Sequence, residues 1–548
     1  MSHTRPPVTS DAEDDGPSSG SRVSSPNKTK TTQKGDYVAR EVDDALVDFS
    51  VGQPGPASLP LHALAAAAAH RLGTQDAELL LQYGPRQGYR SFRRALASFL
   101  SQRYGAPVDP ERLMITAGVS HGLDLAVRAL SRPGDVIVVE CPTYFLVTPI
   151  FTDSGLRVVS MPTDEEGLVV GALEAWLEES PHNRPRFVYT IPVHNNPRGT
   201  TLPPHRRRHL LELAALYGFW VLADEVYQLL SFPHEAPGAA AASSSQAQAQ
   251  APPSPLPLPL RCYEPAAQEG GPLPSPHTPP SSAPPGAPTP SGPRLPDPRT
   301  APSRVLSFGS FSKMLAPALR LGWVEAGDPA LLGPLRDNGV ISSGGCIAQL
   351  SAGLAHSALE LGLQASHLDS VVRPGLAARC AALCAALRRH LPPPPAPLST
   401  PPAPEAGALG AAAGSSGAIA KAPAGPLEPG GSGAEGGGSG SGGGGGGGGE
   451  AEEGKAGDGW WRLVQPRGGY FVWLELPRQV DARRLLALAE SRHGVRFTPG
   501  PACGGGGAHC ARLSFSFYTP EELEEGARRL GAALREYLDS AAAGGAAA

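Results

Sequence analysis

Four short apolar runs constrain this chain more than any other feature: Val136-Ile137-Val138-Val139, Phe187-Val188-Tyr189-Thr190-Ile191, Trp220-Val221-Leu222-Ala223 and Val305-Leu306-Ser307-Phe308. Continuous apolar runs of this length, without alternation, mark strands covered on both faces. Helical patterns separate most of them. The stretch 91–100 puts Phe92, Leu96 and Phe99 on one face, and a second helix opens at Gly118, carries Leu123, Ala126 and Leu130, and stops at Pro133-Gly134. Strands alternating with helices predict βαβ units and an α/β fold with a mostly parallel sheet. Nearer the end, 469–474 reads as a strand, 512–517 alternates as a half-buried strand, and Pro520 starts a helix reaching about Leu538. That tail predicts a smaller α+β C-terminal domain.

Composition matters where it interrupts this pattern. The 67 glycines and 61 prolines concentrate in a few tracts rather than spreading evenly. Three tracts have too little apolar surface to offset their ordering entropy: 1–35, 234–302 and 391–458. The expected organisation is therefore a disordered tail over 1–35, a large domain over 44–340 interrupted by a disordered insertion at 234–302, and a small domain over 341–540 interrupted by another at 391–458. Insertions of this kind are tolerated when their ends lie close together, because loop-closure entropy grows slowly with length.

A formal net charge of −5 gives no reason to expect a nucleic-acid or membrane partner. The cluster Arg206-Arg207-Arg208 reads as a solvated helix face. No apolar run approaches the roughly 20 residues that span a bilayer. The opening MSHTRPPVTSDAEDDGPSSG has no apolar core of a secretory signal, and its acidic residues argue against a transit peptide. Seven scattered cysteines fit reduced thiols and a cytoplasmic location better than a disulfide framework. Cys503, His509 and Cys510 lack paired-ligand spacing, and no metal is expected there.

In an open α/β sheet, ligands bind beyond the carboxyl ends of the strands. The polar residues at those ends are thus the candidates. Cys141-Pro142-Thr143-Tyr144, His194-Asn195-Asn196-Pro197, Asp224-Glu225-Val226-Tyr227 and Ser310-Phe311-Ser312-Lys313 follow the four runs in turn. One edge collects an aromatic ring, an amide, a carboxylate, a phenol and an amine. Gly118, Val119 and Ser120 add amides at a helix N-terminus, which favour a phosphate dianion, and Arg320 supplies a fixed positive charge to the same group. Singly, these strings are ordinary: Asp-Glu-Val-Tyr is a common tetrapeptide, and Asn-Pro usually marks only a turn. Their joint occurrence, each at a strand end, is not.

With these strings in place, the chain resembles the fold-type-I enzymes that use pyridoxal 5'-phosphate (PLP), in particular the class I/II aminotransferases. The segment SFGSFSKMLAPALRLGW carries most of the likeness. The strings LQYGPRQGYRSFR, TAGVSHGLDL and VECPTYF are similar to the 2-aminoadipate aminotransferases and to the aminotransferase-like domain of MocR-type regulators. The resemblance implies a Schiff base between PLP and Lys313, a carboxylate at Asp224 for the pyridine nitrogen, and Asn196 and Tyr227 on the ring 3-oxygen. It implies Tyr144 on the ring face, and Gly118, Val119, Ser120, Ser310, Ser312 and Arg320 around the phosphate. Tyr83 falls where the family reaches the neighbouring subunit's phosphate, so a homodimer with composite sites is implied. Arg512 and Asn196 are implied at the substrate, with Arg512 gripping its α-carboxylate.

The implied reaction moves an amino group from an L-amino acid to a 2-oxo acid such as 2-oxoglutarate. The same apparatus serves PLP lyases and synthases, of the C–S lyase or aminocyclopropane-carboxylate-synthase type, and a catalytically silent PLP-binding regulator is a third alternative. No DNA-binding module is expected in the short polar stretch before the first string. Ala318 departs from the family glycine, and Val119 and His121 replace smaller or amide residues beside the phosphate.

Overall fold

The apolar runs lie side by side, as strands needing cover on both faces must. The structure, a computed structural model, describes residues 45–233, 258–264, 303–344, 348–393, 460–505 and 507–545. Edge to edge, the main sheet runs Leu113–Thr116, Gly322–Ala326, Val305–Ser310, Trp220–Asp224, Phe187–Thr190, Val136–Cys141, Arg157–Asp164, Gly167–Leu168. From Val305–Ser310 through Arg157–Asp164 every neighbour is parallel. Gly322–Ala326 runs antiparallel to both its neighbours, and Gly167–Leu168 folds back on its predecessor as a short hairpin.

The two-residue period of a strand divides these runs between two cores. Ile137, Val139, Phe187, Tyr189, Leu222, Leu306 and Phe308 face one, while Val138, Val188, Val221, Ala223 and Val305 face the other. Register sets what happens at the strand ends. Thr190 pairs with Ala223 and Asp224 with Phe308, so three strands finish level with one another.

The smaller part is an antiparallel sheet in the order Arg462–Leu463, Phe471–Glu475, Cys510–Ser514, Thr498–Pro499. Helices Arg373–His390 and Ala482–His493 pack on the last helix, Pro520–Gly545. Val47–Asp48 pairs in parallel with Val495–Arg496, tying the first described residues to the C-terminal part.

Four expectations need correction. Within 234–302, residues 258–264 are docked rather than free: Leu260 is fully buried, and its N–H donates to Glu225 Oε1 at 2.7 Å. Glu264 accepts from Arg304 N at 2.7 Å, and Arg261 pairs with buried Glu325. Composition averaged over the tract concealed one short apolar stretch, Leu258-Pro259-Leu260. The rest of 234–302, the tail 1–35 and all but the first three residues of 391–458 lie outside the described residues.

The second correction concerns Arg206-Arg207-Arg208, of which only Arg208 is exposed to solvent. Arg207 is fully buried and donates to the carbonyls of Leu202, Pro192 and Leu258 at 2.7, 2.7 and 3.0 Å. Arg206 makes a bidentate pair with Asp164 at 2.7 Å, and Arg208 stands 5.5 Å from the Tyr263 ring centroid. Five donors on a planar fork let arginine satisfy buried carbonyls in this way.

Third, the alternation over 512–517 does not mean a solvated face. The strand is Cys510–Ser514, buried throughout. Its polar side chains bond inward, with Ser514 Oγ 3.0 Å from Ser516 Oγ and Ser516 Oγ donating to Gln53 O at 2.8 Å. Fourth, the helical run Leu363–His390 is long and apolar enough to cross a membrane by length and composition. Its Leu368, Val372, Leu376, Cys380, Leu383, Cys384 and Leu387 are buried in the core, which accounts for that apolar character within the fold.

The docked stretch gives a direct test. Leu260→Ala removes a fully buried side chain and should destabilise the protein by about 2–4 kcal/mol in urea unfolding. A loss below about 0.5 kcal/mol, the range of an ordinary surface change, would show that 258–264 is not anchored as described.

Candidate active site

The strand ends bring the predicted residues to one edge of the sheet, and the small antiparallel sheet supplies Arg512 opposite them. Lys313 follows Val305–Ser310 and turns its side chain under the loop at Gly52, whose carbonyl accepts from Nζ at 2.7 Å. The ammonium lies 5.2 Å from the Tyr470 ring centroid, and the Tyr470 hydroxyl donates to the Lys313 carbonyl at 3.0 Å. Burial, then the guanidinium groups of Arg512 and Arg320, lower its pKa to about 8, against the opposing pull of Asp224. A desolvated lysine of that pKa is a competent nucleophile and base near neutrality.

Asp224 ends the neighbouring strand and is 5% exposed. Its Oδ2 accepts from the Tyr189 hydroxyl at 2.8 Å. Its Oδ1 is buried and has no partner among the described residues. Burial raises its pKa to about 6, while the bond from Tyr189, the nearby Val226 N–H dipole and the charge of Lys313 act the other way. Buried carboxylate oxygens are normally hydrogen-bonded. One left open invites a cationic N–H, and a protonated pyridine nitrogen is such a group. Tyr227 is buried one turn further on, 5.7 Å from Tyr470 and 6.3 Å edge-on to Phe471, centroid to centroid. Burial and the Asp224 charge hold its phenol well above the usual range. Tyr144 is partly buried, its pKa raised first by burial and then by Asp224.

Arg512 is 3% exposed. It donates to Asn196 Oδ1 at 3.2 Å, Ser50 O at 2.9 Å and Thr498 Oγ1 at 3.0 Å. Its guanidinium carbon lies 4.2 Å from the Phe471 centroid and 5.5 Å from that of Phe145. Every one of these acceptors is neutral, and Nε has no partner among the described residues. A buried cation without a paired carboxylate is costly, and a bound carboxylate relieves that cost bidentately.

Of the residues expected around the phosphate, Gly118 and Arg320 lie together. Gly118 caps the helix Val119–Leu130 with φ of 86°, a conformation that favours glycine. A Cβ there would stand 3.0 Å from Arg320 Nη2, so the missing side chain is what lets the guanidinium close over the helix N-terminus. Arg320 itself has φ of 46° and donates to Pro317 O at 3.2 Å and Ala117 O at 3.5 Å. Ala318 is not in the left-handed region, so its departure from glycine introduces no strain there. Ser120 is exposed on the first turn of the helix. Ser312 is half-buried, and its N–H donates to Ser310 Oγ at 3.0 Å. Ser310 also donates to Leu321 O at 3.2 Å, so its hydroxyl is partly engaged within its own loop. Tyr83 stands apart from this group at 86% exposure.

Sequence reasoning missed Tyr189, Tyr470, Gly52 and Thr498. Tyr189 sat inside an apolar run and read as core, and Tyr470 followed two glycines that read as a strand start. Gly52, in a loop, and Thr498, in the two-residue strand Thr498–Pro499, touch the site through a carbonyl and a hydroxyl without a recognisable string. Among the described residues no group of three or more His, Cys, Asp or Glu side chains is placed to hold a metal. Cys503 and Cys510 are buried, with thiol pKa values raised to about 11, first by burial.

A mostly parallel sheet with an amine, a half-satisfied carboxylate and a helix N-terminus at its carboxyl edge is the arrangement that a fold-type-I PLP enzyme requires. Residues 44–252 match the family model for aminotransferases of class I and II. The chain is 25% identical over 503 residues to aromatic-amino-acid aminotransferase 1 of Thermococcus litoralis, covering 90% of this chain and 89% of that protein. It is 26% identical to the 2-aminoadipate transaminase of Thermus thermophilus, covering 90% and 91%. Among solved structures, the alpha-aminoadipate aminotransferase of Thermus thermophilus, complexed with N-(5'-phosphopyridoxyl)-L-leucine, superposes with a TM-score of 0.61 at 25% identity, covering 90% of this chain and 94% of that one. Over about 90% of its length the chain is thus similar to aminotransferases, and residues 44–252 carry the match to the class I and II family model.

The Asp224 environment carries a pH signature in the cofactor-free protein. Its folded pKa of about 6 exceeds the 3.8 of a free carboxyl. The ionised carboxylate therefore costs stability in full above pH 6, and the cost fades as pH falls through 6 towards 3.8. Asp224→Asn keeps the acceptor for Tyr189 and removes the charge. The apoprotein variant should be more stable than wild type by on the order of 2–3 kcal/mol at neutral pH, the gap closing near pH 4. Urea titrations at both pH values check this, and an equal gap at both would refute it.

Proposed function

We propose that the protein transfers the amino group of an L-amino acid to a 2-oxo acid such as 2-oxoglutarate, with PLP attached as a Schiff base to Lys313. The observation that carries this reading is the presence of two incompletely answered buried groups whose charges both act on Lys313: Asp224, whose Oδ1 has no hydrogen-bond partner among the described residues, and Arg512, whose acceptors are all neutral and whose Nε has none. The first suits a pyridinium N–H and the second a substrate carboxylate. When bound, PLP supplies an electron sink for the pair left at the substrate α-carbon after proton loss.

The chain's own residues do the rest. Asp224 keeps the pyridine nitrogen protonated. Asn196 and Tyr227 hold the 3-oxygen, Tyr144 covers the ring face, and Gly118, Val119, Ser120, Ser310, Ser312 and Arg320 take the phosphate. Arg512, oriented by Asn196, grips the α-carboxylate and so fixes which substrate bond faces Lys313. Lys313, whose burial lowers its pKa to about 8 in the cofactor-free protein, would be the base that takes the α-proton and returns it on the other side of the transfer. The partner's Tyr83 completes the phosphate site in a homodimer. Supporting this, Tyr83 is exposed, as are Leu61, Leu72, Leu79 and Leu81 in the segment before it. The six described cysteines are free thiols, in keeping with a reducing, cytoplasmic setting.

Purified protein reconstituted with PLP and given an amino-acid panel with 2-oxoglutarate should form glutamate and the matching 2-oxo acids. Ammonia release without glutamate would favour a lyase instead, and bound PLP without turnover would favour a silent regulator. Borohydride should fix the cofactor on the peptide containing Lys313, and Lys313→Ala should abolish both that adduct and turnover. Arg512→Lys keeps the charge but loses the bidentate fork, and should raise KM for the amino acid about 10- to 100-fold. An unchanged KM would remove Arg512 from the carboxylate site.

A further inference from the structure

Glu140 is the penultimate residue of the strand Val136–Cys141, yet none of the chemistry above uses it. It is 2% exposed, and no described lysine or arginine pairs with it. Three donors converge on its two oxygens instead: Thr190 Oγ1 at 2.5 Å on one, Ile191 N at 3.1 Å and Asn195 Nδ2 at 2.7 Å on the other. Burial raises its pKa to about 7 against these three bonds, and Asp224 on the neighbouring strand end raises it further. The other titratable group facing it is Tyr189, whose hydroxyl is given to Asp224.

The partner that matters is Asn195. Its N–H donates to Thr200 O at 2.8 Å, its carbonyl accepts from Gly199 N at 2.6 Å, and its Oδ1 accepts from Arg198 N at 3.2 Å. Asn195 therefore closes the turn 195–200 upon itself, and Glu140 pins that turn to the sheet. Asn196 rides on it. With Asn196 Oδ1 engaged by Arg512, its Nδ2 group is the one left to donate to the cofactor.

We propose that Glu140 is a positioning residue: through Asn195 it fixes the turn that presents Asn196 to the cofactor 3-oxygen and to Arg512. The inference rests on the assignment of PLP to Lys313. Its action is by hydrogen bonds rather than by charge, since no cation answers it and all three neighbours are neutral donors. A glutamine in its place can reproduce the set. The amide oxygen accepts from Ile191 N and Asn195 Nδ2, and the amide NH2 donates to the Thr190 hydroxyl.

The test is the pH midpoint of the visible absorbance of the Lys313-bound cofactor, read in folded, cofactor-loaded variants. A donor on the 3-oxygen withdraws charge from the adjacent imine nitrogen, so a misplaced Asn196 raises that midpoint. Glu140→Ala should raise it by about one unit, the scale of one lost hydrogen bond. It should also weaken PLP binding to the apoprotein about tenfold in absorbance titrations. Glu140→Gln should stay within about 0.3 unit and about threefold in kcat/KM of wild type. Asn195→Ala should reproduce the shift, and the double variant should add little to either, as for members of one chain of contacts. If Glu140→Ala fails to fold, Asn195→Ala reads the same shift.

An unshifted midpoint in loaded Glu140→Ala, or in Asn195→Ala where the former does not fold, overturns the inference. So does a Gln variant as damaged as the Ala variant. Wild-type protein without a borohydride-fixable cofactor on Lys313 overturns the parent assignment, and this inference with it.

Discussion

The register of the parallel sheet is the constraint on which the site depends. Side chains alternate with period two, so a slip of one residue between Phe187–Thr190 and Trp220–Asp224 would exchange the two core faces. It would also carry Asp224 away from Tyr189. Because both faces are buried, such a slip is prohibitively costly, and the side-chain bonds from Tyr189 to Asp224 and from Thr190 to Glu140 only add to a level that packing already sets. Asp224, Glu140 and the turn before Lys313 inherit their separation from packing several residues away. That is why short apolar runs of ordinary composition can fix the placement of groups that must act within hydrogen-bond reach of one another.

Much of this was legible in the sequence because the relevant signals are local. The four apolar runs became adjacent strands, and each polar cluster following them lies at the same edge of the sheet. Gly118 was legible as a helix opening since a positive φ before a helical pattern has few other occupants. What escaped was long-range or averaged. Arg207 looked solvated because its neighbours in the chain are arginines, whereas its partners are carbonyls at Leu202, Pro192 and Leu258. The stretch 258–264 was lost inside a tract whose mean composition is dominated by proline, alanine and serine. The serines of 514–516 read as solvent-facing because alternation reports polarity and not where polarity is satisfied.

The same limit applies to the site. A sequence shows that Asp224 follows a strand and that Arg512 precedes an alternating stretch. It does not show that one oxygen of Asp224 goes unpartnered, or that every acceptor around Arg512 is neutral. Those facts depend on residues from Ser50 to Thr498 closing around the edge of the sheet. They also separate this arrangement from an internal salt bridge, in which the two charges would satisfy each other and leave nothing for a ligand.

The lone guanidinium of Arg512 has a consequence for how the chain persists, apart from how it reacts. Any carboxylate that settles on it binds the native state and not the unfolded one, so ligand concentration enters the folding equilibrium directly. At a hundredfold excess over the dissociation constant that linkage is worth about 2.7 kcal/mol, a sizeable share of a typical protein's net stability. Stability is in this sense coupled to supply: a carboxylate held at Arg512 would raise the resistance of the chain to unfolding, and dilution of that ligand would lower it.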